Sequence, residues 1–232
     1  MTRTEILTRY LELRDSSKYL HNAALKFVAP ATFIEHARRL GLMVGRTLVA
    51  ESEAEMTLAN DLAVYTAKEG RSTALDRYAR THPPAPGSDE ALVLNATRHA
   101  RFSIWRIERR HEAAGLIVLD LLRDQEAWLV DRNLEANAVD GMAIAARLYE
   151  PESFAMTSGV IVPTLPKVME RVMHDAEAWR HETREQIARD PRFAVAVYRA
   201  AIASGLMANV AFAPPGAAES GADHEDPVDD RG

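Results

Sequence analysis

The 232-residue chain contains no cysteine. This absence excludes disulfide bonds, zinc sites built from thiolates and a cysteine nucleophile. A chain of this length buries well over half of the surface that its unfolded state exposes, so it needs no covalent cross-links to fold. The lack of cysteine also suits a reducing compartment, and we expect a cytoplasmic protein.

Long apolar segments are also missing. The sequence has no run of about 18 apolar residues, so it predicts no transmembrane helix. The first residues, Met1–Glu5, lack the apolar stretch that defines a signal peptide. We therefore expect no membrane partner.

The short patterns that mark common catalytic and cofactor sites are absent as well. The chain contains no Gly-x-Ser-x-Gly elbow, no Ser-x-x-Lys pair, no Gly-x-x-x-x-Gly-Lys loop and no Gly-x-Gly-x-x-Gly loop. Ser158 is a lone serine at the end of a predicted strand, and no base is placed beside it. We assign no catalytic residue, no cofactor and no metal, and the sequence favours a protein that is not an enzyme.

Charge is distributed unevenly along the chain, whose formal net charge is −6 at pH 7. Residues 1–50 carry eight Lys/Arg and four Asp/Glu, whereas residues 201–232 carry one Arg and six acids. From Pro214 onward the composition is mainly Pro, Gly, Ala and acidic residues, which cannot bury enough apolar surface to offset the entropy cost of ordering. We predict that residues 213–232 form a disordered acidic tail.

Helices are predicted over most of the first hundred residues, where apolar residues recur at spacings of three and four. Thr2 and Glu5 have the spacing of a capping box, in which two side chains satisfy free N–H groups at a helix start. The same spacing recurs at Thr32–Glu35 and Ser52–Glu55. Each pair predicts the beginning of a helix.

Residues 102–163 have a different pattern, with short apolar runs separated by polar turns, as in an antiparallel sheet. We therefore predict an α+β fold that is mostly helical. A small antiparallel SH3-like β-sheet or barrel is inserted between an N-terminal helical region, residues 1–101, and a C-terminal helix pair, residues 164–212. We interpret 131–137 as a β-turn, and Trp128 and Trp179 as core residues.

Three segments of this region resemble a β module of uncharacterised bacterial proteins: Gly115–Leu122, Ala127–Asp131 and Gly141–Leu148. In those proteins the module can precede a SEC-C motif, which is a metal site that contains cysteine. The SEC-C motif itself is absent here, because the chain has no cysteine. The resemblance implies a β module and no activity.

One stripe on the helix after Thr164 combines imidazole and carboxylate groups, which are ligands for divalent metals. At about 100° per residue, its members lie on one side of the helix: Glu170, His174, Glu177, His181 and Glu185. The stripe lies opposite the apolar face, where an ordinary helix places its solvated side chains. We interpret it as a solvated face.

The candidate nucleic-acid-binding residues form a cluster that we call the Arg patch: Arg98, Arg101, Arg106, Arg109 and Arg110. Guanidinium groups bind phosphates in bidentate fashion, and the interleaved Phe102 and Trp105 could stack on bases. The alternative is that both aromatic residues belong to the core and that the arginines pair with nearby carboxylates.

Together these observations favour a non-enzymatic binding or scaffold module. Its candidate partner is another protein or a second copy of the chain, and nucleic acid bound at the Arg patch is the alternative. A hydrolase-like enzyme is a further alternative, with a site assembled from distant residues. A concave pocket with convergent acidic, histidine or serine side chains would favour an enzyme, and a flat apolar face would favour assembly.

Overall fold

The structure is a computed structural model that describes residues 1–68, 70–174 and 179–209. The helices of these ranges are α1 (Arg3–Leu25), α2 (Pro30–Arg39), α3 (Glu53–Tyr65), α4 (Ala74–Thr81), α5 (Asp89–Arg98), α6 (Arg132–Asn137), α7 (Pro166–His174), α8 (Arg184–Arg189) and α9 (Pro191–Ala203). A 3-10 turn, Leu206–Asn209, follows α9. The predicted acidic tail, residues 213–232, lies outside the described residues.

The strands form a two-stranded hairpin and one larger sheet. The hairpin pairs β1 (Met43–Val44) with β2 (Thr47–Leu48). The sheet contains β3 (Arg101–Arg110), β4 (Leu116–Asp120), β5 (Gln125–Leu129), β6 (Ala143–Tyr149) and β7 (Met156–Pro163), in the order β5-β4-β3-β6-β7. All four ladders of the sheet are antiparallel. These elements confirm an α+β fold with an antiparallel sheet.

The large sheet does not close into a barrel. Its two edge strands approach each other at one isolated parallel bridge, between Leu129 and Ala155. The backbone N–H of Val130 donates to the carbonyl oxygen of Ala155 at 2.9 Å, and the backbone N–H of Ala155 donates to the carbonyl oxygen of Trp128 at 2.7 Å. The sheet is therefore bent enough to bring its edges into contact at one point.

Gly115 permits the tight connection between β3 and β4. Its φ is +80°, and a Cβ atom at this position would lie 2.3 Å from the carbonyl oxygen of Leu129. Any side chain would collide with the backbone of β5, so only glycine fits here.

Two of the three predicted helix caps are correct. The Thr2 hydroxyl accepts from the Glu5 N–H at 3.3 Å, and the Glu5 carboxylate accepts from the Thr2 N–H at 2.7 Å, which completes the capping box of α1. Ser52 caps α3 by accepting from the Glu55 N–H at 3.3 Å. The Thr32–Glu35 cap is wrong, because α2 begins earlier, at Pro30, and has no side-chain cap. Proline suits a first helical position, where its fixed φ is already helical.

Residues 131–137 form a short helix and not the predicted β-turn. The Asp131 carboxylate accepts from the Leu134 N–H at 3.0 Å and caps α6. The described part of residues 164–212 contains three helices, α7, α8 and α9, where we predicted a helix pair.

The predicted core tryptophans differ in burial. Trp179 is 7% exposed, and its indole N–H donates to Asp190 Oδ2 at 2.8 Å. This confirms its prediction. Trp128 is only half-buried: its ring stacks on His111 at 4.2 Å between centroids, and its indole N–H donates to the Ala114 carbonyl at 2.8 Å. Trp128 therefore borders the core.

Candidate functional site

A cleft of about 520 Å³ opens between α2, the segment that follows α3, the start of α4 and the first turn of α9. This volume lies within the range of about 300–1,000 Å³ that is typical of small-molecule sites. We call it the basic cleft, because its charged lining residues are Glu35, Arg39, Lys68, Arg71 and Arg77. Among the described residues, four cations thus face one carboxylate.

Glu35 connects two of these cations. Arg39 Nη2 donates to Glu35 Oε1 at 2.6 Å, and Lys68 Nζ donates to Glu35 Oε2 at 2.9 Å. The hydrogen bond from Lys68, helped by the charge of Arg39, holds the pKa of Glu35 below its ordinary value. The carboxylate therefore stays ionised and joins the C-terminal end of α2 to the segment after α3.

The other two cations have no carboxylate partner among the described residues. Arg77 Nε and Nη2 donate to the Phe27 carbonyl oxygen at 3.2 and 2.8 Å, and Nη1 donates to the Ser72 carbonyl. These neutral carbonyls position the guanidinium without neutralising it. The exposed side chain of Arg71 has no hydrogen-bond or ion-pair partner within the described ranges. An anion could bind Arg71 without first displacing any group of the described residues.

His36 lines the same cleft and is only 7% exposed. Its Nε2 lies 3.2 Å from the Thr66 hydroxyl, which itself donates to the Leu62 carbonyl at 2.6 Å. The hydroxyl must therefore accept from Nε2–H, so Nδ1 carries the lone pair, and it has no partner. Burial, with the nearby charge of Arg39, lowers the pKa of His36 and keeps the ring neutral at neutral pH.

A buried ion pair joins α3 to the large sheet. Asp61 on α3 is fully buried, and the side chain of Arg147 on β6 is 7% exposed. Arg147 Nη2 donates to Asp61 Oδ2 at 3.0 Å, and Nε lies 3.4 Å from Oδ1. The guanidinium carbon also lies 4.6 Å from the ring centroid of Tyr65, a cation–π arrangement.

Two hydroxyl groups complete the shell around Asp61. Tyr198 on α9 donates to Asp61 Oδ2 at 3.0 Å, and Ser158 on β7 donates to Oδ1 at 3.2 Å. Burial and the charge of Asp61 raise the pKa of Tyr198 well above its ordinary value, so its hydroxyl keeps its proton. Groups from α9, β6 and β7 thus bind both oxygens of the carboxylate, which stabilises its buried charge.

A second buried polar cluster lies along α1. Arg14 donates to the Thr157 carbonyl at 2.7 Å, and the Thr157 hydroxyl donates to Asp131 Oδ2 at 3.0 Å. The Tyr149 hydroxyl donates to the Ser17 hydroxyl at 2.7 Å. These contacts tie α1 to β6 and β7.

Every member of the Arg patch has a local partner. Arg98 pairs with Asp76 at 2.8 Å, Arg101 with Glu150 at 3.3 Å, Arg106 with Glu108 at 2.6 Å and Arg109 with Glu126 at 3.1 Å. Arg110 donates to the Glu135 carbonyl at 2.8 Å. Phe102 and Trp105 are buried, with 7% and 1% exposure. These contacts agree with the alternative in which the two aromatic residues belong to the core and the arginines pair with nearby carboxylates. Nucleic-acid binding at the Arg patch stays a prediction.

The remaining candidates do not form a site within the described residues. Ser158 belongs to the Asp61 shell, and no group of three or more His, Asp or Glu side chains described here could hold a metal ion. Of the helical stripe, Glu177 and the side chain of His174 lie outside the described part of the chain.

The basic cleft is the site that the sequence did not predict. Its basic residues come from separate segments and show no periodicity, so no pattern connects Arg39 with Arg71 or Arg77. The buried pair did leave a signal, because Arg147 interrupts an otherwise apolar strand. A charge in such a position needs a buried partner.

Comparison with protein families gives one match. A family model described as a family of unknown function, DUF7986, matches residues 4–210. The chain belongs to this family. Apart from the first residue of α1, the match includes all the described elements and all the residues that line the basic cleft.

The other comparisons add no relative. Neither the search of curated proteins nor the search of solved structures gives a match. In the described part of the chain, no helix combines the length and apolar character needed to cross a membrane.

Proposed function

We propose that the protein is a binding module whose basic cleft takes a small anionic ligand that carries phosphate or carboxylate groups. The observation that carries this proposal is the excess of cations in the cleft, where Arg39, Lys68, Arg71 and Arg77 face the single carboxylate of Glu35 among the described lining residues. The excess is local, because the net charge of the chain is −6.

The way in which each cation is held in the cleft supports anion binding. Arg77 is held in place by two backbone carbonyls, so little side-chain entropy is lost when an anion binds it. Arg71 supplies a guanidinium that has no partner among the described residues, and guanidinium groups bind phosphate and carboxylate oxygens with parallel hydrogen bonds. Lys68 can shift from Glu35 to a ligand, since its side chain is 74% exposed.

The proposal is tested by calorimetric titration of inorganic pyrophosphate, and of citrate as a carboxylate probe, into the full-length chain. A Lys68→Ala/Arg71→Ala variant should bind the better of the two anions at least about tenfold more weakly, which corresponds to about 1.4 kcal/mol. Both residues are exposed, so the variant should fold like the parent protein.

The matched control removes the same charge from the Arg patch, by Arg106→Ala/Arg109→Ala. Both of these side chains are also exposed, and both lie on β3 outside the cleft lining. The control should bind the anions like the parent protein. Equal losses of affinity in the two variants would show that only net charge matters and would refute a site in the cleft.

Other features stay predictions. An SH3-like curvature of the sheet is supported by the bridge between Leu129 and Ala155, and a cytoplasmic location by the absence of cysteine. The resemblance to the β module that precedes SEC-C motifs rests on sequence alone. Binding of nucleic acid at the Arg patch, of a protein partner or of a second copy of the chain also stays a prediction.

A further inference from the structure

We infer that the acidic C-terminal segment, residues 219–230, binds in the basic cleft and competes with its ligand. This inference rests on the proposed function of the cleft and adds a form of regulation to it. Its occupant is a part of the chain itself, so no other molecule is needed.

Charge complementarity is the first argument. The acids of the segment are Glu219, Asp223, Glu225, Asp226, Asp229 and Asp230. The cleft presents four cations and one carboxylate among its described lining residues. Some other cations of the described surface already have carboxylate partners, including four of the five residues in the Arg patch. The cleft is therefore a favourable destination for a segment with several carboxylates.

The position of the last described residues is the second argument. Pro191 and Val195, in the first turns of α9, line the cleft. The 13 residues of α9 then span about 20 Å, at about 1.5 Å per residue. The 3-10 turn that ends at Asn209 packs back on α3 and α9, and its Met207 is 1% exposed. The described chain therefore ends close to the body of the protein, within about one helix length of the cleft.

The reach of the intervening residues agrees with this distance. Nine residues lie between Asn209 and Glu219, and the ten Cα–Cα steps that join the two residues span at most about 33–36 Å in an extended chain. The acidic segment can therefore reach the cleft in the same molecule. A short tether gives an effective concentration in the millimolar range, so even a weak contact would compete with a ligand.

A spin label on the segment tests the contact directly. The chain has no cysteine, so Ala222→Cys provides a single labelling position in the full-length protein. We expect the label to broaden the amide NMR signals of Thr66, Lys68 and Arg71 at low salt. Added pyrophosphate should restore these signals, and about 1 M salt should do the same by screening the charges.

The control is the same labelled chain with its six acids changed to Asn or Gln. It should show no broadening in the cleft, and it should bind pyrophosphate about three to ten times more tightly than the labelled parent, because a millimolar internal competitor has been removed. Broadening that is absent from the cleft, or that survives neutralisation of the segment, would overturn the inference.

Failure of the inference and failure of the proposed function give different results. If pyrophosphate binds the neutralised chain and shifts the cleft amides, but the label broadens none of them, the cleft binds anions and the segment does not occupy it. If the label broadens the cleft but pyrophosphate binds neither protein, the intramolecular contact stands and the proposed ligand class is wrong.

Discussion

The Asp61–Arg147 pair offers a sharp test of how the helices are joined to the sheet. The change Asp61→Asn keeps the size and most hydrogen-bonding capacity of the side chain but removes its charge. Arg147 then stays in a site where its side chain is 7% exposed, with no carboxylate to balance it. The rings of Tyr65, at 4.6 Å, and Phe102, at 5.6 Å, would remain to stabilise the cation.

The expected loss of stability is large because the charge that remains is buried. Coulomb's law at the observed 3.0 Å separation gives about 5 kcal/mol for an effective dielectric constant of about 20. Removal of one partner from a buried pair typically costs about 3–5 kcal/mol. In a chain of this size, each 1 kcal/mol lowers Tm by about 2–4 °C, so we expect a decrease of about 6–20 °C.

Urea unfolding, followed by circular dichroism and tryptophan fluorescence, gives the free energy of unfolding. The matched control is Glu126→Gln, which makes the same chemical change in the exposed pair with Arg109, whose side chains are 57% and 52% exposed. The control should cost at most about 1 kcal/mol. The double change Asp61→Asn/Arg147→Met should recover part of the stability. Equal small decreases in Asp61→Asn and Glu126→Gln would refute the buried pair.

Three further results are expected. Trp179→Ala should cost about 3–5 kcal/mol in urea unfolding because it empties a buried aromatic site, and parent-like unfolding would place this ring outside the core. The lowered pKa of His36 means that the unfolded state binds its proton more readily than the folded state, so the free energy of unfolding should fall as pH drops below about 6.5. The variant His36→Gln keeps a hydrogen-bond donor near Thr66, and its free energy of unfolding should fall less steeply between pH 7 and 5.5. Equal slopes for the variant and the parent protein would contradict the lowered pKa. If the Arg patch binds DNA, changing Arg106, Arg109 and Arg110 to Ala should flatten the slope of log affinity against log salt. The slope should change by about 0.9 for each phosphate that the variant no longer neutralises. Fluorescence anisotropy titrations that show no binding at low salt would refute this alternative.

Local patterns predicted most of the secondary structure. The Thr2–Glu5 and Ser52–Glu55 spacings marked true helix starts because a cap involves only neighbouring residues. The Thr32–Glu35 spacing failed because Pro30 already starts α2 and Glu35 pairs across the cleft with Lys68. Tertiary contacts therefore decided the role of Glu35, and these are not visible in a short sequence window.

The candidate site depended almost entirely on tertiary structure. His36 and Val195 lie at two walls of one cleft, although about 160 residues separate them in the sequence. The Arg patch stood out in the sequence because its members lie close together along the chain, but most of its carboxylate partners come from other segments, such as Asp76 and Glu150. Sequence clustering of charge thus identified arginines that are paired and missed Arg71.

The location of a bound anion tests the central claim most directly. Crystals of the full-length protein and of the chain with its six C-terminal acids neutralised would be soaked in sodium tungstate, a tetrahedral dianion that scatters anomalously. We predict an anomalous difference peak in the basic cleft, within hydrogen-bond distance of Arg71 or Lys68, that is strongest in the neutralised chain. Peaks found only at the Arg patch, or an empty cleft that no neighbouring molecule covers, would contradict the account.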